Sequence, residues 1–232
     1  MLNAMRFGEM DGPAIEEFKK LSRPVIYTDG IGPTQLYPTR QEVDTANQTQ
    51  LNKLPGEPHT YQSMDLPGHD SKGERVSEQT MERLLERLIA SKTISLKIGA
   101  QVMLIKNLIQ GELVNGSVGQ VIAFSTSSEA QKNHTDIAQV DDAKDSIAAQ
   151  RIRSRAAQNN RVWPVIRFTN GRVMLIVPVE FTVNNAQGER EASREQIPLI
   201  LAWALSVHKS QGQTLERVKV DLGRIFEKGQ GE

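Results

Sequence analysis

Between residues 201 and 222 the chain reads LAWALSVHKSQGQTLERVKVDL. His208, Lys209, Ser210 and Gln211 crowd together before Gly212, with Thr214 and Glu216 just beyond. A cation, hydroxyls, an amide and a glycine that lets a backbone come close are what binding a phosphate requires. The same residues also read as a helix that ends at Gly212 with a polar exposed face, and spacing alone leaves both readings open. A second candidate lies in Leu36 to Leu54, LYPTRQEVDTANQTQLNKL. Thr39 followed by Glu42 is a capping box, so a helix should begin at Arg40. An arginine in the first helical turn can swing its planar fork toward an anion, or it can be an ordinary solvated surface arginine.

The elements that must position these side chains follow from periodicity. The apolar run Leu199 to Leu205 delivers the chain to the polar turn, and Val218, Val220 and Leu222 alternate with Lys219 and Asp221 as a strand does. A turn at Tyr27 to Gly32 and a short strand at Leu36 to Pro38 precede the Arg40 helix. On that helix Val43, Ala46, Asn47, Gln50, Leu51 and Leu54 fall on one face. Upstream, Met1 to Lys20 reads as helix on Leu2, Met5, Phe7, Ile15 and Phe18, with a break at Asp11-Gly12-Pro13. Leu54 to Gly73, rich in Pro, Gly and His, reads as a loop. Gly68 and Gly73 have the spacing that opens a P-loop, but Glu74 and Arg75 stand where Lys and Ser/Thr are required. No other stretch comes closer. Ser77 starts an amphipathic helix on Met81, Leu84, Leu85, Leu88 and Ile89.

From Lys97 the period is that of strands: Gln101 to Ile105, Gly119 to Phe124 after the turn Asn115-Gly116, and Val162 to Phe168 with Arg172 to Val177 flanking Asn170-Gly171. Glu180 to Val183 adds another. Several short strands with glycine turns suggest a small barrel. Ser125 to Asn160 interrupts it as a polar, partly helical, mobile surface insertion. Acidic residues come early there (Asp141, Asp142, Asp145) and arginines late (Arg151, Arg153, Arg155); the arginines read as a solvated charge run or as a nucleic-acid contact.

Composition narrows the classes. Basic and acidic residues balance at 28 each, so contact with nucleic acid must come from a local patch rather than from net charge. The absence of cysteine removes disulfides and thiolate metal sites, and no metal-binding residues are assigned. No apolar run approaches the roughly 18 residues that span a bilayer, so a soluble, intracellular chain with no membrane partner is expected.

Ala204 to Leu215, ALSVHKSQGQTL, resembles motif V of superfamily 1 helicases of the RecD-like, 5′-to-3′ branch, and more closely the PIF-type (petite integration frequency) DNA helicases. Asp29 to Asn47, DGIGPTQLYPTRQEVDTAN, resembles motif IV of the same helicases, and MLNAMRFG their Leu-Asn-x-x-Arg-x-Gly segment. KIGAQVMLIKN and LVNGSVGQV resemble the Src-homology-like barrel they insert into the second RecA-like domain. The resemblance covers nearly the whole chain apart from the insertion. It implies an α/β fold: the second RecA-like domain, without a P-loop of its own, carrying the barrel. Residues 1–96 would be its first part (1–24 a helical lead-in), 97–196 the barrel with insertion 125–160, and 197–232 the return.

The resemblance implies a part of an ATP-dependent 5′-to-3′ DNA helicase acting in DNA repair, recombination, replication and telomere maintenance. Arg40 would be the catalytic arginine on the γ-phosphate, with Gln211, Gly212 and Glu216 facing the nucleotide. Thr39, Lys106, Asn107, His208, Lys209, Ser210 and Thr214 would hold single-stranded DNA. Asn115 serves its own turn. ATP and Mg²⁺ would be held mainly by an N-terminal RecA-like domain that precedes Met1, and motif VI would follow Glu232; the isolated chain is expected to be inactive. The family points to nucleus or mitochondrion. Two further readings stay open: a nucleic-acid-binding or interaction module derived from a helicase without its motor, and an unrelated α/β scaffold. A G-x-x-x-x-G-K-[ST] upstream and Ala-Leu-Ser-Arg downstream would mark the motor.

Overall fold

The computed structural model describes residues 4, 7–138, 147–158 and 161–221. In chain order the elements are α1 (Gly12–Lys20), β1 (Thr34–Tyr37), α2 (Arg40–Lys53), β2 (His59–Gln62), β3 (Met64–Pro67), α3 (Glu78–Leu85), β4 (Thr93–Leu96), β5 (Gln101–Leu104) and β6 (Val118–Ser125). There follow α4 (Ser127–Lys132), β7 (Asp136–Ile137), α5 (Ile147–Gln158), β8 (Trp163–Phe168), β9 (Val173–Leu175), β10 (Val179–Asn184), β11 (Arg190–Gln196), β12 (Leu199–Leu201), β13 (Ala204–Ser206), α6 (Val207–Ser210) and β14 (Val218–Val220). The result is a mixed α/β fold.

Two sheets position the candidate residues. β13, β1 and β14 form a parallel sheet with β1 central. A six-stranded sheet runs β12-β5-β6-β8-β9-β7, antiparallel except where β7 meets β9. The run at 199–206 belongs to both: β12 pairs with β5, and after a two-residue link β13 pairs with β1. This switch is why the run is apolar from Leu199 to Leu205, since Leu199, Ala202, Ala204 and Leu205 are all buried. Ala202 and Leu205 join Ile31, Met103 and Val118 in the core between the two sheets. Gln101 locks the junction, its amide donating to the Gly32 and Ala202 carbonyls at 3.1 and 3.0 Å.

The Asn170-Gly171 turn forms as its sequence dictates, with Gly171 at φ +83° and β8 antiparallel to β9. The break expected at Asp11-Gly12-Pro13 forms too: residues 9–11 are not helical and α1 starts afresh at Gly12, with Asp11 accepting from the Ala14 N–H at 2.8 Å and proline suiting the first turn. Elsewhere the structure corrects the reading. The supposed loop Leu54 to Gly73 holds β2 and β3; both are four residues long and pair with strands remote in sequence, β4 and β11. Pairing therefore runs across residue 97. The helix opened by Ser77 stops at Leu85, with Met81 and Leu85 buried.

β11 was not read at all. REASREQ has no apolar alternation, yet Ser193, Arg194, Glu195 and Gln196 are buried. Partners from distant elements neutralise it: Arg194 with Asp65, Glu195 with Arg155, and the Gln196 amide with the Tyr61 and Ser91 carbonyls. The described parts of the 125–160 insertion pack inward too. Thr126 and Glu129 cap α4 reciprocally, and Ala130, Ala138, Ile152 and Ala156 are buried. Leu2, Met5, Val140, Asp141, Asp142, Asp145, Leu222 and 229–232 lie outside the described residues, as does the side chain of Arg153.

Candidate nucleotide and nucleic-acid site

Because β1 and β13 are parallel and in register, with Tyr37 opposite Ser206, their chains leave the sheet at the same edge. Pro38, Thr39 and Arg40 continue from one strand, Val207, His208 and Lys209 from the other. The carboxyl edge of parallel strands is where open α/β sheets bind ligands. Thr39 caps α2: its hydroxyl accepts from the Glu42 N–H at 3.3 Å and donates to the Glu42 carboxylate at 2.7 Å. Arg40 is left exposed at the first helical position. Ser206 caps the single turn α6, accepting from the Lys209 N–H at 3.4 Å.

Lys209 is half-buried, and its ammonium titrates below the usual lysine value. Burial is the main cause and the like charge of Arg40 the second, while Asp44 opposes both. Arg40, Asp44 and Lys209 thus feel one another's charge. His208 is exposed, and Ser210 donates its hydroxyl to the Val207 carbonyl at 2.8 Å.

Gln211, Gly212, Thr214 and Glu216 are all exposed along the following loop. Gly212 sits at φ +76°, and a Cβ there would meet nothing within 4 Å. Within the chain, glycine is needed for the left-handed backbone, not for close approach. Close approach occurs at Gly116 instead, at φ +99°, where a Cβ would stand 2.9 Å from the Thr214 carbonyl. The Asn115-Gly116 turn therefore abuts the loop, braced by Asn107, whose side-chain oxygen accepts from the Asn115 N–H at 2.8 Å. The structure gathers the nominated residues into two adjoining groups: Thr39, Arg40 and 208–210 at the strand edge, Asn107 and Thr214 at the turn. Lys106 is engaged within the fold, donating to the Glu180 carbonyl at 2.6 Å and lying 5.3 Å from the centre of the Phe181 ring.

Residues 80–124 match the family model described as DNA helicase Pif1, 2B domain. Over 99% of its length the chain is 42% identical to the ATP-dependent DNA helicase PIF1 of Emericella nidulans, covering 32% of that protein. It is 34% identical to the ATP-dependent DNA helicase RRM3 of Saccharomyces cerevisiae, covering 36% of it. The crystal structure of the Candida albicans Pif1 helicase superposes with a TM-score of 0.70 at 36% identity, over 99% of this chain and 48% of that one. Over nearly its whole length, then, the chain is similar to part of the Pif1-type DNA helicases. It spans about a third of the length of the curated relatives it matches.

Two residues fasten the strands of the candidate site, and the sequence gives neither of them this role. Arg217 grips the Asp29 carboxylate with two bonds of 2.7 Å, donates to the Ile31 carbonyl at 2.7 Å, and lies 4.4 Å from the centre of the Tyr27 ring. It fastens the turn that precedes β1 to the residue just before β14. Arg217's hydrogen bond, joined by that of the Ile31 N–H, holds the Asp29 carboxyl down at about 2. A lowered folded value means this contribution is present above the ordinary carboxylate range and fades as pH falls toward 2.

Asn47 is the other. Its side-chain amide donates to the Ala204 carbonyl and accepts from the Ala204 N–H, both at 3.0 Å, completing the outer edge of β13. Asn47→Leu keeps the branching at Cγ but strands both backbone groups, so a loss of about 1–3 kcal/mol is expected. Urea denaturation followed by circular dichroism measures it; an unchanged midpoint would remove Asn47 from this role. Its sequence signal is an asparagine flanked by Val43 and Leu51 on one helix face.

Proposed function

We propose that the chain is part of an ATP-dependent 5′-to-3′ DNA helicase: the second RecA-like domain with an inserted Src-homology-like barrel, working against a P-loop-bearing RecA-like domain on one bound nucleotide. The observation that carries the reading is the common edge of β1 and β13, which sets Arg40 beside the 207–210 turn. Bound ATP with Mg²⁺ supplies the phosphoryl group whose transfer to water drives such motors. Arg40, exposed on a rigid helix start, is placed to stabilise charge on that group. Gln211, Gly212 and Glu216 face the nucleotide. His208, Lys209, Ser210 and Thr214 hold single-stranded DNA. Mg²⁺ and the nucleotide would be held mainly by the P-loop-bearing domain. No described helix is long and apolar enough to cross a membrane.

The purified chain is expected to hydrolyse no ATP, with or without single-stranded DNA, since no stretch of its sequence is a P-loop. DNA-stimulated phosphate release that survives further purification would sink the assignment. Its grip on single-stranded DNA should be weak, no better than about 10⁻⁴ M at physiological salt. Lys209→Ala should reduce the log–log salt slope by about 0.7, the contribution of one phosphate neutralised. Fluorescence anisotropy across a salt series reads this directly. A slope indifferent to Lys209 but lost on removing the arginines of α5 moves the DNA site to that helix.

A further inference from the structure

A cleft of about 320 Å³ opens between α2 and β4, bounded also by β12 and β13. Lys209 and Asp44 stand in its wall, Gln48 and Ser95 add an amide and a hydroxyl, and Ile94 and Leu205 make the surface apolar. That volume lies at the small end of ligand pockets, which pair apolar walls with a few placed polar groups. We propose that this cleft receives one nucleobase of the single strand whose phosphate Lys209 holds. The inference rests on the DNA role given to Lys209 above.

The argument is one of adjacency and chemistry. A cation in the wall of a cleft, partly withdrawn from water, is best compensated by an anion at the mouth. Asp44 offers one negative charge, but Arg40 sets a second positive charge against the same lysine. A phosphodiester at Lys209 would relieve that imbalance and carry its own sugar and base to the opening. A base presents flat apolar faces and polar edges, matching Ile94 and Leu205 on one hand and Gln48 and Ser95 on the other. Such a pocket grips any base without selecting among them.

The test uses the whole chain with a fluorescein-labelled tetrathymidylate and its abasic analogue. The intact oligonucleotide should bind about tenfold more tightly than the abasic one, the size of one base contact. Gln48→Trp places bulk at the mouth from an exposed position of α2, so the fold is retained, which circular dichroism verifies. In that variant the tenfold preference should collapse toward unity while the salt slope stays unchanged, because phosphate contacts are intact. In Lys209→Ala the slope should fall by about 0.7. A slope that responds to Lys209 with a base preference untouched by Gln48→Trp overturns the cleft proposal alone. A slope that ignores Lys209→Ala overturns the DNA reading beneath it.

Discussion

Joined to the P-loop-bearing part of a Pif1-type relative, the chain carrying Arg40→Ala is expected to turn over ATP about 10³-fold more slowly, with single-strand affinity nearly intact. Arginines on a transferring phosphoryl group contribute about 10³ to 10⁵ in rate. A contact made chiefly in the transition state depresses kcat more than KM. Two features make the result specific to Arg40. Thr39, not Arg40, caps α2, so the helix start survives the substitution. Arg40 is exposed, so its removal leaves no buried group unpaired. Steady-state phosphate release and anisotropy on one preparation separate the outcomes. Normal hydrolysis with weakened DNA binding would place Arg40 on the DNA track.

Arg194→Ala is expected to cost about 3–5 kcal/mol, the usual effect of stripping one partner from a buried ion pair. Arg194 and Asp65 meet through bonds of 2.8 and 2.7 Å with side chains only 7% and 11% exposed, and Arg194 also donates to the Ala90 carbonyl at 2.8 Å. Burial works to raise the Asp65 carboxyl, but the bonds from Arg194 and Ser63 outweigh it and the net shift is downward. The pair therefore contributes above the ordinary carboxylate range and is lost as pH falls through the folded value. A total stability near 5–15 kcal/mol leaves little margin. Guanidinium denaturation at neutral pH gives the loss, and Arg194→Met combined with Asp65→Leu should recover much of it. Equal loss in the single and double variants would show that packing around β11, not the unpaired charge, governs the site.

How much of this could be read in advance depended on the range of the interaction. The Thr39 cap, the start of α2 at Arg40, the Asn170-Gly171 hairpin and the apolar face of α3 are set by residues within four positions of one another, and the sequence by itself determined them. The two motif segments were legible for the same reason: each is a contiguous run of residue types. The sequence could not say that Tyr37 and Ser206 stand side by side, since that pairing joins positions 169 apart in number through a parallel sheet. Long-range packing alone sets the run 199–206 into two sheets, fastens Arg217 to Asp29, and brings Asn47 to the edge of β13. The widest gap was β11. Its charged and amide side chains read as solvent-facing because a buried ion is costly when alone, and what removes that cost is Asp65, Arg155 and the carbonyls of residues 61 and 90–92, each at least 40 positions away from the residue it pairs with.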